Sequence, residues 1–314
     1  MSTPLTVTVA VPVLNEARHI SACLAALESQ TYGDIVEILV VDGGSDDETR
    51  DLAGQVAGVR ILENDERVQA AALNLAIHEA KGDVLVRVDG HCIVAPDYVE
   101  RCVATLARTG AAMVGGGMTP EAEGWRAGGI AAAMRSPFGA GPARFHVGGQ
   151  AGWVDTVYLG AYRVDTAKAV GGYSLEPVSE DGEFAIRMRR AGGVYYDPAI
   201  RSTYVPRRTF TSLARQFHRY GAMRAATVVR HPHSVKPRQL ASPLLVVGLA
   251  SPARRPLLGA YGLVVAAAAF RERRHPGVVP GLVGALPVMH LSWGAGFLLG
   301  LGRSFGSARR RTAA

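Results

Sequence analysis

The sequence Val-Val-Asp-Gly-Gly-Ser-Asp-Asp, residues 40–47, and the sequence Val-Arg-Val-Asp-Gly-His, residues 86–91, decide the fold. In each, a run of strand-forming residues ends at a carboxylate, Asp42 in the first and Asp89 in the second. The carboxyl ends of parallel strands share one edge of an open α/β sheet, and such sheets bind ligands at that edge. Oxygen ligands there suit Mg²⁺ or Mn²⁺ held against phosphate. The two stretches therefore predict a site for a nucleotide diphosphate with a divalent cation, which we interpret as a sugar-nucleotide site.

Strand and helix patterns alternate along the first part of the chain. Valine-rich or alternating segments predict strands, and apolar residues at helical spacing predict helices. This alternation is typical of an α/β fold with a mainly parallel sheet flanked by helices. The predicted strands cover 6–13, 37–41, 59–62, 84–88, 112–117, 153–164 and 193–204, and the predicted helices start at Ile20 and cover 46–56 (capped by Ser45), 69–80, 180–191 and 210–226.

The charge of the chain is unevenly distributed. The net charge is +7, with acidic residues concentrated in the first half and arginine dominating after residue 200. No Lys/Arg run is interleaved with aromatic residues in the way that single-strand binders need. We therefore expect no nucleic acid partner. A basic second half beside apolar stretches favours attraction to anionic lipid headgroups.

Cysteine usage and the N-terminal residues indicate the compartment. The 3 cysteines form no Cys-x-x-Cys pair. An odd count without such pairs argues against a disulfide framework or a structural zinc site and fits a reducing compartment. Residues 1–6 contain no charged segment followed by an apolar one. We therefore expect no signal peptide and a cytoplasmic catalytic part.

The end of the chain is apolar. Three apolar segments cover 240–250, 257–270 and 278–301, with arginines between them. Only the last reaches the roughly 20 residues that a helix needs to cross a bilayer. The first two are interpreted as re-entrant, interfacial or paired segments, and the alternative is that all three are core helices of a soluble domain. We predict a catalytic domain over 1–230 and a membrane-associated helical segment over 231–314, located at the cell membrane.

Five short motifs follow one another along the chain. They are Val-Pro-Val-Leu-Asn-Glu at 11–16, Val-Asp-Gly-Gly-Ser-Asp-Asp-Glu-Thr at 41–49, Asp-Gly-His at 89–91, Ser-Glu-Asp at 179–181 and Gln-Phe-His-Arg-Tyr at 216–220. In this order they resemble the family 2 glycosyltransferases with the GT-A fold, in particular the membrane-associated branch that builds exopolysaccharides of the succinoglycan type. The apolar tail with its sequence His-Leu-Ser-Trp-Gly at 290–294 is similar to that branch as well.

The resemblance implies a set of donor-binding residues. Glu16 is expected to accept hydrogen bonds from ribose hydroxyls; the alternative is a carboxylate favoured by the helix N-terminus. Asp42 matches the position that hydrogen-bonds the base, usually uracil, while Asp46 is interpreted as a first-turn helix carboxylate. The other implied donor contacts are Pro12, Leu14, Arg67 and Asn74. Arg67 and Asn74 are equally explained as solvated or capping side chains.

The resemblance also implies a metal site at Asp89, which opens the family's Asp-x-Asp motif and binds the cation and the donor diphosphate. His91 stands where the second aspartate is more common. Imidazole is a better ligand for Mn²⁺ than for Mg²⁺. We therefore expect Asp89 and His91 to hold a divalent cation, Mn²⁺ or Mg²⁺, with Mn²⁺ favoured. The alternative is that His91 contacts phosphate directly.

The catalytic base implied by the resemblance is Asp181. An inverting transfer needs a carboxylate that takes the proton of the acceptor hydroxyl. The alternative is an ordinary acidic residue in a first helical turn. Arg219 is expected to pair with the donor diphosphate. Tyr220 replaces the tryptophan of the family's Gln-x-x-Arg-Trp motif, which favours a single addition over processive synthesis.

Taken together, these residues predict an inverting glycosyltransferase. It would move a sugar from a nucleotide-diphosphate sugar, preferably a UDP-sugar, to a lipid-linked glycan acceptor in the membrane. A dinucleotide-dependent oxidoreductase is excluded because the turn after the first strand, residues 12–16, lacks the required glycines. The remaining alternative is a non-catalytic sugar-nucleotide-binding scaffold with the same fold.

Overall fold

The computed structural model describes residues 4–312. The chain forms two compact units, the first comprising Met1–Thr119, Gly148–Leu175 and Glu180–Tyr204, and the second Pro120–Val147, Glu176–Ser179 and Val205–Ala314. The predicted division at residue 230 concerns which part carries catalysis and which part binds the membrane, and it stays a prediction. The expectation that no signal peptide is present falls partly on residues 1–3, which lie outside the described residues.

The first unit contains a nine-stranded sheet, one half of which is parallel. In this half β1 (Val7–Val13) lies between β2 (Ile35–Asp42) and β4 (Val84–Arg87), and β3 (Val59–Glu63) pairs with β2. Every residue of β1 and β4 is buried, as expected for valine-rich strands that are covered on both faces. The parallel register aligns the carboxyl ends of β1 and β2, where Val13 pairs with Asp42.

The other half of the sheet is antiparallel. Here β8 (Tyr158–Arg163) pairs with β4, and β6 (Met113–Pro120) pairs with β8. Beyond β6, the strand β9 (Val194–Tyr204) pairs with both β5 (Cys92–Val94) and β7 (Gly152–Val154). The order is β3-β2-β1-β4-β8-β6-β9-β5, with β7 beside β9. The predicted α/β fold with a mixed sheet is therefore confirmed.

Six helices accompany the sheet in the part of the first unit that the structure describes. The helix α2 begins at Thr49 rather than at Asp46 and ends at Gly54. The predicted Ser45 cap is wrong, because the Ser45 hydroxyl donates to Asp42 in the turn that precedes the helix. The six are α1 (Ile20–Glu28), α2 (Thr49–Gly54), α3 (Gln69–Glu79), α4 (Tyr98–Thr109), α7 (Val164–Ala169) and α8 (Glu180–Arg190).

A close approach between two backbones explains the glycine at position 116. A Cβ atom on Gly116 of β6 would lie 1.7 Å from the carbonyl oxygen of Ile200 on β9. We expect Gly116→Ala to lower the free energy of unfolding by about 3 kcal/mol, since neither backbone can move without disturbing the sheet. For a domain of 150–250 residues this corresponds to a fall in Tm of roughly 6–12 °C. Gly33→Ala is the control, because no atom lies within 4 Å of the added Cβ; equal Tm values for the two variants would contradict the expectation.

The second unit is helical in its described residues. Glycines allow close packing of its helices, as in membrane helix pairs. A Cβ atom on Gly129 would lie 2.3 Å from the Cα atom of Gly281, and one on Gly221 would lie 2.1 Å from the carbonyl oxygen of Trp293. Its helices are α5 (Gly124–Arg135), α6 (Arg144–Val147), α9 (Phe210–Arg230), α10 (Ala241–Leu249), α11 (Arg254–Arg271) and α12 (Val279–Thr312).

The three apolar segments correspond to α10, α11 and α12. Within residues 4–312, one helical stretch, Pro276–Ser304, is long and apolar enough to cross a bilayer, and 39% of its most apolar window is buried inside the protein. The two shorter helices expose large apolar side chains, with Leu244, Leu263 and Phe270 exposed by 65%, 73% and 66%. Core helices of a soluble domain bury most such side chains, so this exposure favours membrane association of α10 and α11, which stays a prediction.

Candidate active site

A cavity of about 200 Å³ lies in the first unit at the carboxyl ends of β1, β2 and β4. This is the edge at which open α/β sheets bind ligands. The opposite wall comes from the turn before α3 and from the first residues of that helix. The residues that line the cavity are Pro12, Val13, Leu14, Glu16, Gly43, Asn64, Arg67, Val68, Gln69, Ala72, Asp89 and His91.

The end of β1 brings together three of the predicted donor contacts. Pro12, Leu14 and Glu16 all line the cavity. The turn that presents them depends on Asn15, whose φ of 57° places it in the left-handed region. The Asn15 side-chain oxygen accepts a hydrogen bond of 3.0 Å from the amide of Asp46, so the turn is held against the segment that follows β2. Leu14 is 48% exposed and offers an apolar surface at the cavity.

Glu16 lies both at the cavity and at the turn that leads into α1. Its backbone carbonyl accepts from the amides of His19 and Ile20 at 2.8 and 2.9 Å, and α1 begins at Ile20. Its carboxylate lies 3.0 Å from the Nδ1 atom of His91, and both side chains line the cavity. The expected contact with ribose hydroxyls and the alternative of a carboxylate favoured by the helix N-terminus both stay predictions.

Asp42 lies beside the cavity but does not line it. Its side chain is buried, and its carboxylate accepts hydrogen bonds from the amide and the hydroxyl of Ser45 at 3.2 and 2.5 Å. The neighbouring Gly43 forms the wall. The expected contact between Asp42 and a base stays a prediction. The expected first-turn role of Asp46 is wrong, because α2 begins three residues later, at Thr49.

Of the two implied donor contacts Arg67 and Asn74, Arg67 lines the cavity. Arg67 has a left-handed backbone, with φ of 54°, and its exposed guanidinium lies over Gly44, 3.2 Å from where a Cβ atom would stand. It therefore places a positive charge at the cavity wall. Asn74 does not line the cavity: its amide donates to the carbonyl of Tyr173 at 2.8 Å and accepts from the Tyr173 amide at 2.6 Å.

Two cavity residues have no signal in the sequence. Asn64, which is 6% exposed, donates to the carbonyl of Val68 at 3.0 Å and so shapes the turn before α3. Gln69, the first residue of α3, donates to Asp89 at 3.2 Å. Polar residues at the start of a helix are ordinary capping and first-turn residues. Nothing in the local sequence connects Gln69 to a carboxylate 20 positions away.

Asp89 lies 8% exposed at the centre of the site and is paired with Arg87. The Arg87 guanidinium donates to both carboxylate oxygens of Asp89, from Nε at 2.7 Å and from Nη2 at 3.2 Å. Burial alone would raise the pKa of Asp89, but the charge and hydrogen bonds of Arg87 outweigh burial and hold this pKa below its usual value. Asp89 is therefore an anion at neutral pH.

Arg87 also connects Asp89 to the predicted base. Its Nη1 atom donates to Asp181 Oδ1 at 2.5 Å. Asp181 lies in the first turn of α8, and its side chain is 52% exposed, whereas that of Arg87 is 3% exposed. One buried guanidinium thus joins the predicted metal-binding carboxylate to the predicted base. A charged residue inside a valine-rich strand was the available sequence signal, because a buried arginine requires anionic partners.

The residues at the cavity fit a divalent cation only in part. Within residues 4–312, no group of three or more His, Cys, Asp or Glu side chains is arranged to hold a metal ion. Asp89 and His91 supply one carboxylate and one imidazole, both at the cavity. Such a pair suits a cation that takes its remaining ligands from substrate phosphates and water. These side chains therefore fit a cation that is bound together with a diphosphate, and they do not form a closed metal cage.

Arg219 belongs to the second unit. It lies on α9, where its side chain is exposed. In the same motif Gln216 donates to the hydroxyl of Tyr220 at 2.9 Å, across one helical turn. The expected pairing of Arg219 with a diphosphate stays a prediction.

Comparison with known protein sequences gives the family. The chain matches the description "Glycosyl transferase family 2" over residues 8–171. It is 32% identical over 308 residues to the succinoglycan biosynthesis protein ExoA of Rhizobium meliloti (strain 1021), which covers 92% of this chain and 93% of that protein. The glycosyltransferase AglE of Haloferax volcanii is 39% identical over 116 residues, or 35% of this chain and 38% of that protein.

Comparison with solved structures gives the fold. The mannosyltransferase PcManGT from Pyrobaculum calidifontis superposes with a TM-score of 0.62 at 20% identity, covering 92% of this chain and 88% of that one. TarS of S. aureus superposes with a TM-score of 0.52 at 14% identity, covering 98% of this chain and 92% of that one. These likenesses confirm the GT-A fold. Together with the family match and the near-complete coverage of ExoA, they establish that the chain belongs to glycosyl transferase family 2 and is a glycosyltransferase.

Proposed function

We propose that the chain moves one sugar, with inversion, from a UDP-sugar to a lipid-linked glycan at the cytoplasmic face of the cell membrane, as a step in polysaccharide synthesis. The observation that carries this proposal is the guanidinium of Arg87, which hydrogen-bonds Asp89 at the cavity and Asp181 on α8. A donor site and a base must act on the same anomeric carbon. The shared guanidinium keeps these two carboxylates close together, and this proximity supports the proposal.

The relatives support the polysaccharide context and the nucleotide donor. ExoA is named for succinoglycan biosynthesis. PcManGT was solved with GDP-Man and Mn²⁺, and TarS with UDP. For this chain we favour a UDP-sugar, with a GDP-sugar as the competing donor. The preference between a UDP-sugar and a GDP-sugar depends on the cavity wall beside Gly43 and Asp42, where the resemblance places the nucleobase of the donor.

Different residues at the cavity would bind different parts of the donor. Pro12 and Leu14 would pack against the nucleoside, and Glu16 would accept hydrogen bonds from the ribose hydroxyls. Arg67 would lie against the negative charge of the diphosphate. Asp89 and His91 would hold Mn²⁺ or Mg²⁺ together with the diphosphate, and the cation would stabilise the charge that develops on the leaving group.

Asp181 would act as the general base. The acceptor hydroxyl loses its proton to the Asp181 carboxylate while its oxygen forms a bond to the anomeric carbon. The bond between that carbon and the diphosphate oxygen breaks on the opposite face, and its electron pair leaves with the nucleotide diphosphate. A single displacement of this kind inverts the configuration at the anomeric carbon. The half-exposed position of Asp181 would leave room for an acceptor.

The second unit would hold the enzyme at the membrane. The helix α11 exposes Leu263 and Phe270 by 73% and 66%, and arginines follow the apolar stretch at 271, 273 and 274. The apolar side chains would be buried in the bilayer, and the arginines would interact with anionic lipid headgroups at its surface. This leaflet would supply the lipid-linked acceptor.

Transfer of a labelled sugar tests the proposal. The purified chain in detergent would be incubated with labelled UDP-glucose, UDP-galactose, UDP-N-acetylglucosamine or GDP-mannose, Mn²⁺, and a lipid extract that contains lipid-linked glycans. We expect one UDP-sugar to label the organic-soluble fraction, and NMR of the product to show the inverted anomeric configuration. Label confined to free sugar, or a retained configuration, would contradict the proposal; transfer from GDP-mannose alone would overturn the UDP preference.

A further inference from the structure

Arg87 is more deeply buried and more fully engaged than its position at a strand end requires. It is the last residue of β4, and its side chain is 3% exposed. Three of its nitrogen atoms donate to two carboxylates, with Nε and Nη2 bound to Asp89 and Nη1 bound to Asp181. The two partners differ in burial, since the side chain of Asp89 is 11% exposed and that of Asp181 is 52% exposed.

The geometry at Asp89 fixes the orientation of the guanidinium. Two donors on one planar fork meet two oxygens of one carboxylate, at 2.7 and 3.2 Å. Such a two-point contact leaves the plane of the fork little freedom. The hydrogen bond from Nη1 of Arg87 to Asp181, at 2.5 Å, therefore has a fixed direction. The position of one carboxylate is defined relative to the other.

The helix that carries Asp181 is itself anchored by aromatic packing. Phe184, three residues further along α8, is fully buried and stacks on Tyr173 with ring centroids 4.1 Å apart. It also meets the ring of Tyr162 on β8 edge to face at 5.2 Å. Asn74 holds the backbone of Tyr173 by two hydrogen bonds. The first turn of α8 is thereby supported from the sheet, and the contact between Arg87 and Asp181 does not depend on a mobile loop.

We propose that Arg87 is a positioning residue that sets the spacing between the donor-site carboxylate Asp89 and the base Asp181. The inference rests on the roles proposed above for these two carboxylates. Arg87 is not among the residues that line the cavity, and it would act through its two carboxylate partners. Its role differs from charge neutralisation alone, because a neutralising cation would need only proximity, whereas positioning needs a rigid group with several donors. Lysine supplies the charge but not the fork.

The test compares Arg87→Lys and Arg87→Gln with the matched changes Arg60→Lys and Arg60→Gln. Arg60 pairs with the largely buried Glu37 and with the partly exposed Glu79, so it controls for the loss of an arginine that bridges two carboxylates away from the cavity. For each variant, Tm, the Kd for the nucleotide diphosphate in Mn²⁺, and kcat and KM for transfer would be measured. We expect Arg87→Lys to keep Kd and KM within about threefold and to lower kcat about 100-fold, as misplacement of reacting groups does.

A double variant shows whether Arg87 acts through the base. With Asp181→Asn already present, adding Arg87→Lys is expected to lower kcat by less than about threefold, because residues that act as one unit are not additive. The proposal would be overturned if the fold-losses in kcat of the two single variants multiplied in the double variant. It would also be overturned if Arg87→Lys kept the wild-type kcat, or if it lowered kcat and the affinity for the nucleotide diphosphate together. If Arg87→Gln fails to fold, Arg87→Lys decides the matter. Absence of transfer by the wild-type chain would instead overturn the proposed function, so transfer by the wild-type chain is measured before the variants.

Discussion

Asp181→Asn is expected to lower kcat for sugar transfer by about 1,000-fold, within the range that loss of a general base produces. The asparagine side chain keeps an oxygen that can accept from Arg87 Nη1, which now contacts Asp181 Oδ1 at 2.5 Å. It cannot take a proton from an acceptor hydroxyl. Because the hydrogen bond from Arg87 survives, the Kd for the nucleotide diphosphate should stay within about threefold of the wild-type value. Because the proton acceptor is lost, the effect should appear in kcat.

The control for this variant is Asp165→Asn. Asp165 is also an exposed acidic residue in the first turn of a helix, in this case α7. Removing its charge should leave kcat within about twofold of wild type, since a surface helix-terminal charge contributes only a fraction of 1 kcal/mol. Equal kcat values in wild type and Asp181→Asn would show that Asp181 is an ordinary first-turn carboxylate and that the base lies elsewhere.

Asp89→Asn is expected to weaken Mn²⁺-dependent binding of the nucleotide diphosphate by at least about 100-fold, or about 2.8 kcal/mol. The side chain loses the charge that would hold the cation, while one oxygen still accepts from Arg87 and the shape is preserved. Asp89→Ala should show the same loss of binding and a larger fall in Tm. The reason is that Arg87, with a side chain 3% exposed, then has one carboxylate partner, Asp181, and no acceptor at position 89, and a buried charge that loses a partner is destabilising.

The comparison between these two variants separates binding from folding. A calorimetric titration gives Kd with Mn²⁺ and with chelator, and thermal unfolding gives Tm. If Asp89→Asn keeps the wild-type Kd in Mn²⁺, the cation is not bound through Asp89, and the role of this carboxylate is confined to its pairing with Arg87. Weakened binding in both variants, with a smaller fall in Tm for Asp89→Asn than for Asp89→Ala, is the expected pattern.

The sequence was sufficient for the parts of the fold that depend on local pattern. Strands β1 to β4 are short, mainly apolar segments, and Asp42 ends β2 while Asp89 follows β4 by two residues. Their existence and the placement of Asp42 and Asp89 at one edge follow from residue pattern and strand direction. The resemblance added Pro12, Leu14 and Glu16, which do line one cavity. The helix α8 with Asp181 in its first turn was also predicted correctly.

What the sequence did not predict depends on contacts between distant residues. The predicted strand over 153–164 is two strands, β7 and β8, which pair with different partners. The helix α5 was missed because its glycines, such as Gly129, disfavour a helix by propensity, whereas in the structure they allow α12 to pack closely. Arg87 and Gln69 were missed as site residues because their partners, Asp181 and Asp89, are 94 and 20 positions away.

The most direct test of the central claim is a titration of the wild-type chain with UDP, GDP, CDP and ADP, each with Mn²⁺, with Mg²⁺ and with chelator. The cavity at the ends of β1, β2 and β4 is held to be a nucleotide-diphosphate site that shares a cation with its ligand. We predict that UDP binds most tightly, that chelator weakens this binding at least tenfold, and that Mn²⁺ supports it better than Mg²⁺. Binding of no nucleotide by folded protein, or binding that chelator leaves unchanged, would contradict it.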